Sequence, residues 1–191
     1  MADVVTVAVC GDELTLATEV TALCMRTWPW DEPVAAEVEA RRLIEEAEAY
    51  EGPAERGHRY HVIKEGDRVC AVARTFARTI GTVAGRMEVL ALSGVVVEEA
   101  FRGRGLGAAV VRGALERVDR GVFGFSLFQT GEHNRGFYTR LGAMVVGNEV
   151  INSLATEGMR MPAFNPDELV VVYPEKAGWP DGTIDLLGSG Y

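Results

Sequence analysis

The chain is short of the residues that build metal centres and disulfide frameworks. Three cysteines and three histidines are spread over 191 residues. Cys10, Cys24 and Cys70 form no C-x-x-C pair and their number is odd, so reduced thiols in a cytoplasmic protein are expected. His58, His61 and His133 are too scattered for a metal site or a catalytic triad, and no metal is expected. Basic residues are also few. Lys and Arg number 19 against 28 Asp and Glu, a formal net charge of -9. Non-specific nucleic-acid binding needs a basic face, so no nucleic-acid partner is expected. An acidic surface suits a cationic partner instead. No apolar run approaches the roughly 20 residues that span a bilayer, which argues against a membrane partner. Met1 to Thr6 has neither the basic start nor the apolar core of a signal peptide.

What is present is the composition of a globular protein, 48% hydrophobic and 25% charged, long enough for one domain over residues 1–191 with one substantial core. Val4 to Val9 reads as a strand. A helix follows with Leu16, Val20, Leu23 and Cys24 on one face, and it stops before Trp28-Pro29-Trp30 because the residue before a proline leaves the helical region. Asp31 is placed to cap a second helix with Pro33 in its first turn, an apolar stripe through Ala40, Leu43, Ile44, Ala47 and Tyr50, and a glutamate-rich outer side. Residues 60–64 and 69–80 read as a hairpin turning at Glu65-Gly66-Asp67. Arg86 to Val97 is a long strand, and Gly94 inside it predicts a bulge or a close backbone approach. A helix from Leu106 to Val118, a buried strand from Phe123 to Gln129, a short helix from Asn134 to Leu141 and a strand from Ala143 to Val146 follow. The tail adds extended runs at Leu169 to Tyr173 and Thr183 to Leu187. This order argues α+β with one mixed central sheet and not a doubly wound one.

The chemistry concentrates where the long strand runs into the third helix. Gly103-Arg104-Gly105-Leu106-Gly107 frees the backbone for a tight turn and opens a helix whose first amides and dipole favour negative charge. Such a turn is a phosphate cradle. Gly103 to Ala108 also fits the G-x-G-x-x-A form of a dinucleotide fingerprint. That motif needs the first glycine directly after a strand and an acid at the end of the next strand. Here a loop intervenes, and the next strand ends Leu127-Phe128-Gln129-Thr130 without an acid.

Arg102-Gly103-Arg104-Gly105-Leu106-Gly107 resembles the R/Q-x-x-G-x-G/A motif of the GNAT family of N-acetyltransferases, and it stands between a strand and a helix as in that family. Downstream, Phe137-Tyr138-Thr139-Arg140-Leu141-Gly142-Ala143 resembles the family's second signature, in the same order and at the same separation. The resemblance is close over roughly residues 86 to 146. The tail, Leu169 to Pro174 and then Trp179-Pro180-Asp181-Gly182-Thr183-Ile184-Asp185, is similar to that of the nodulation N-acyltransferases and, more faintly, to that of the aminoglycoside 2'-N-acetyltransferases.

The resemblance implies the GNAT fold, with a mixed sheet splayed at an acyl-CoA slot and helices on both faces. It implies acetyl-CoA as donor and direct transfer to a small primary amine, with an amino sugar favoured by the tail. Arg102, Gly103, Arg104, Gly105, Leu106 and Gly107 would hold the pyrophosphate. Val95 and Val97 would offer backbone groups to the pantetheine arm, or serve as core. Tyr138 would protonate the leaving thiolate, a role open to a phenol with an ordinary pKa near 10. Asn134 would bond the pantetheine or cap its helix. Trp28 and Trp30 would border the acceptor, stacking on it or anchoring their loop. The base is where the chain departs from the family. The usual glutamate position holds Ala91 and the alternative holds Ser93, leaving Glu88, a water chain or an amine arriving neutral. A longer acyl donor, or a non-catalytic acyl-CoA-binding module, are the competing readings. A homodimer is compatible with all of these.

Overall fold

Residues 3–28, 34–156 and 159–191 are described by the computed structural model of the chain. They form ten strands and four helices: β1 Val5–Ala8, α1 Leu14–Thr27, α2 Ala36–Glu48, β2 Arg59–Glu65, β3 Arg68–Thr82, β4 Gly85–Val97, α3 Leu106–Asp119, β5 Ser126–Thr130, α4 Arg135–Thr139, β6 Met144–Val146, β7 Val150–Thr156, β8 Met159–Pro162, β9 Leu169–Tyr173 and β10 Ile184–Asp185. Two compact units divide them, Met1–Phe76 with Gly94–Ala114, and Ala77–Ser93 with Leu115–Tyr191. The chain runs continuously from one to the other inside β3, β4 and α3.

In the first unit β1 pairs antiparallel with β2, and β2 with β3. The hairpin turns at Gly66, whose φ of +62° a side chain rarely adopts. Helices α1 and α2 cover one sheet face because their apolar residues recur at helical spacing. Leu16, Val20 and Leu23 of α1 and Ala40 and Ile44 of α2 pack with Tyr60, Val62 and Val72. Burying a Leu or Val side chain here stabilises by roughly 1.5–3 kcal/mol relative to leaving it exposed. α1 ends at Thr27, as the Trp28-Pro29 step predicts. α2 opens at Ala36 with Ala35 at its cap, later than a cap at Asp31 would place it. Asp31, Pro33 and Trp30 lie outside the described residues. The acidic side of α2 is not wholly solvated. Glu39 is 8% exposed and takes two hydrogen bonds, 2.8 and 2.6 Å, from Arg42, whose own side chain stays exposed and covers the carboxylate from the surface.

In the second unit the order is β6-β9-β5-β4-β3-β10-β7-β8. β5 runs parallel to β4, β9 antiparallel to β5, and β10 parallel to β7, so the sheet is mixed. The expected α+β class is what the chain adopts. β4 and β5 are in register only at Leu90↔Ser126 and Ala91↔Leu127, although both strands continue beyond. The hairpin of β7 and β8 was not expected from the sequence. Val150 to Ala155 buries three consecutive residues and then exposes three, so no alternation announces a strand. β5 begins at Ser126, three residues after the predicted start, and α4 spans only Arg135–Thr139 before Gly142 turns at φ +89°. The tail closes on the sheet. Asp185 pairs with Gly81 of β3, and Arg78 donates to the Leu186 carbonyl at 2.8 Å.

Candidate active site

The glycine-rich turn lies in the first unit. β4 ends at Val97, a single 3-10 turn spans Glu99–Phe101, and α3 begins at Leu106. Gly103 and Gly105 have φ of +77° and +76°, and the position of an added Cβ is open at both. These glycines are therefore needed for backbone handedness and not for lack of room. Gly107 has no such demand and sits in the first turn of the helix. The first intrahelical bond at this end runs from Ala109 N–H to the Gly105 carbonyl, 3.1 Å. The amides of Leu106, Gly107 and Ala108 consequently have no acceptor within the helix. Three donors at a helix N-terminus beside an open turn fit a phosphate.

Two arginines frame this turn differently. Arg104 pairs with Glu65 at 2.9 Å and stacks over Phe101, 5.3 Å from the ring centre. Arg68, which pairs with Glu98, lies 5.8 Å from the same ring. Arg102 bonds only the Val97 carbonyl, through Nε at 3.2 Å, and meets no carboxylate among the described residues. Its positive charge is the one left for an anion. Upstream, Gly94 has φ +58° within the continuous strand β4, a local backbone irregularity. Val96 is the buried residue here, while Val95 and Val97 are half-buried. Trp28 follows α1 with 47% of its surface exposed.

The second unit carries the candidate proton donor. Tyr138, on α4, is 7% exposed and packs at 4.7 Å from Phe128 and 4.9 Å from Phe137. Burial pushes its phenol up to about 12, opposed by a hydrogen bond with the Thr130 hydroxyl. Asn134 donates to Thr130 Oγ1 at 3.1 Å. Thr130 thus accepts a hydrogen bond from Asn134, and its hydroxyl is also the partner of the Tyr138 phenol. Asn134 stands at the N-cap of α4 without a side-chain cap bond. Thr130 was not singled out from the sequence. Its signal was present in the spacing, at the end of a buried strand four residues before Asn134.

Glu88 is half-buried on β4, Ala91 is fully buried and Ser93 half-buried. His61 is fully buried between the hydroxyls of Thr6 and Thr75, at 3.0 and 2.9 Å, a structural position. His133 is exposed. Cys10, Cys24 and Cys70 are free, and burial raises the Cys24 thiol to about 11, which makes it unreactive. The described residues contain no group of three His, Cys, Asp or Glu that could hold a metal. Trp179 lies edge-on to Phe125 and donates to Asn148 Oδ1 at 2.8 Å. With Lys176, Glu149 and Asp181 it lines an open cavity of about 640 Å³, which sequence reading missed.

The first unit thus carries a glycine-shaped turn suited to an anion, and the second unit a buried tyrosine. The sequence profile of the acetyltransferase (GNAT) family matches residues 19–143, and the chain belongs to that family. No curated protein sequence matches it. Among solved structures, it is similar to a GCN5-related N-acetyltransferase from Kribbella flavida, at 24% identity and TM-score 0.57 over 75% of this chain. The chain spans about a third of that protein, 33% of its length. It is similar also to glucosamine-6-phosphate N-acetyltransferase from Arabidopsis thaliana, at 17% identity and TM-score 0.56, covering 74% of this chain and 90% of the other. A predicted acetyltransferase with acetyl-CoA from Clostridium acetobutylicum matches at 11% identity and TM-score 0.59, covering 77% and 92%. These likenesses are of fold.

Proposed function

We propose that the chain is an acetyl-CoA-dependent N-acetyltransferase, residues 1–191 acting as one catalytic domain on a small primary amine. The observation that carries this is the buried Tyr138 phenol, kept protonated by burial and held beside the Thr130 hydroxyl that Asn134 also bonds. Acetyl-CoA supplies the thioester. Leu106, Gly107 and Ala108 amides with Arg102 hold its pyrophosphate, and the Val95 and Val97 backbone guides the pantetheine arm. The neutral amine attacks the thioester carbonyl, the C–N bond forms and the C–S bond breaks. Tyr138 gives its proton to the departing thiolate, while the proton lost by the amine goes to a base. Glu88 is the carboxylate of β4 available for that step, directly or through water. Direct transfer follows from the lack of a nucleophile assigned to an acyl-enzyme. The tail resemblance favours an amino-sugar acceptor, and Trp28 is an exposed ring on which one can stack.

The buried Ala91 in the usual glutamate position favours one second reading, a module that binds acyl-CoA without turnover. Thiol release from acetyl-CoA with a panel of primary amines decides between them. Release that depends on the amine supports the enzyme. Tight CoA binding with no release on any amine overturns it.

A further inference from the structure

One polar cluster in the first unit has no role in the donor site. Tyr60 of β2 and Arg74 of β3 are direct cross-strand partners. Opposed residues share a face, with Cβ atoms roughly 4.5–5.5 Å apart. That face is the one covered by α1 and α2, since Tyr60 packs with Leu16, Val20 and Ile44. Tyr60 is 1% exposed, and its hydroxyl finds no hydrogen-bond partner. Arg74 is half-buried, with its guanidinium 5.2 Å over the Phe76 ring, and it makes no hydrogen bond or ion pair among the described residues. By contrast Arg41, Arg42, Arg68, Arg104, Arg120 and Arg135 each meet a glutamate.

The buried phenol is orphaned and the half-buried guanidinium across from it is unpaired, so both have hydrogen-bonding capacity to spare. One planar anion relieves both. The arginine fork takes its two oxygens, and the phenol donates to one of them. The phenol is able to donate, because burial raises it to about 12. Gly94 of β4 borders the same residues: a Cβ there would lie 3.8 Å from Cys24 Sγ and 4.0 Å from Arg74 Cβ, at ordinary contact distance.

We propose that the acceptor amine carries a carboxylate, held by Arg74 and Tyr60 on the helix-covered face of β2 and β3. This deepens the acetyltransferase reading and rests on it. A free amino acid and a carboxylated amino sugar both have this chemistry, whereas a plain aminoglycoside does not.

The test uses the full chain and matched pairs of probes: L-amino acids and ω-amino acids from β-alanine to 6-aminohexanoate against their carboxamides, and muramic acid against glucosamine. Binding is read by titration calorimetry in the presence of CoA, without turnover. At least one acid binds tenfold or more tightly than its neutral partner. Arg74→Gln removes that preference, Arg74→Lys keeps part of it, and Tyr60→Phe weakens the acid threefold or more. Arg74→Gln leaves the Kd for CoA unchanged. If acids and neutral partners bind alike, if neither binds, or if Arg74→Gln weakens CoA itself tenfold, the proposal is wrong. Should Arg74→Gln misfold by circular dichroism, the acid-to-amide comparison on the unaltered chain decides alone. Thiol release separates the two levels. Acids that bind without being acetylated overturn the enzyme reading and leave a carboxylate site. Neutral amines acetylated in preference to acids overturn the carboxylate and leave the enzyme.

Discussion

Gly105→Val isolates what the glycine-rich turn does. The native residue has φ +76° and nothing within 4 Å of an added Cβ, so the valine meets no clash. Its penalty is backbone handedness, roughly 1–2 kcal/mol for a non-glycine residue in this region. For a chain of this size that lowers Tm by about 2–8 °C. Gly121, just past α3, also has φ +76° and open surroundings, so Gly121→Val carries the same strain as a matched control. The two variants should lose similar stability and differ in CoA affinity. At Gly105 the side chain enters the space proposed for the pyrophosphate, or the turn relaxes and re-aims the Leu106 and Gly107 amides. Two hydrogen bonds to a charged group contribute about 1.5–3 kcal/mol each. Losing both weakens CoA by at least about 100-fold, at roughly 1.4 kcal/mol per factor of ten. Titration calorimetry with CoA and thermal unfolding of both variants supply the comparison. A Gly105→Val protein that is folded and binds CoA within twofold of the unaltered chain refutes the cradle and the whole assignment with it.

Three further outcomes follow from the second unit and from the buried tyrosines. Tyr138→Phe should lower kcat by about 10²–10⁴-fold while leaving the Kd for CoA unchanged, and a loss under threefold in pre-steady-state transfer would remove its role as acid. Glu88→Gln should abolish the rising limb of the kcat/KM profile against pH if Glu88 collects the amine's proton, and an unaltered profile rules it out. Tyr60 and Tyr138 both sit at about 12 in the folded chain, against an ordinary value near 10. The folded state keeps protons that the unfolded state loses, so stability is intact below pH 10 and falls between about 10 and 12, by roughly 3 kcal/mol per tyrosine. Urea midpoints measured from pH 8 to 12 should show this fall, to which the raised Tyr173 and Tyr191 also contribute, with one tyrosine's share of it absent in Tyr138→Phe. A flat profile would show that neither phenol is buried as described.

The residue order alone determined whatever depends on neighbours in the chain. Gly103 and Gly105 announce a left-handed turn, Trp28-Pro29 ends a helix, and Gly66 makes a hairpin, because handedness and proline sterics act within a few residues. The run from Val95 to Gly107, its family and the place of Tyr138 were legible for that reason. Tertiary structure decided what depends on residues far apart in sequence. The β7–β8 hairpin has no alternation of its own and exists through its pairing with β10. Glu39 reads as a solvated face until packing buries its carboxylate under the exposed Arg42. Thr130 becomes a partner of the phenol only when α4 lays Tyr138 against it. Arg74 is one more surface arginine in the sequence, and the β2–β3 register sets it beside an orphaned phenol. Burial and pairing across strands change the energy of a charge or a hydroxyl, and neither can be read from its neighbours along the chain.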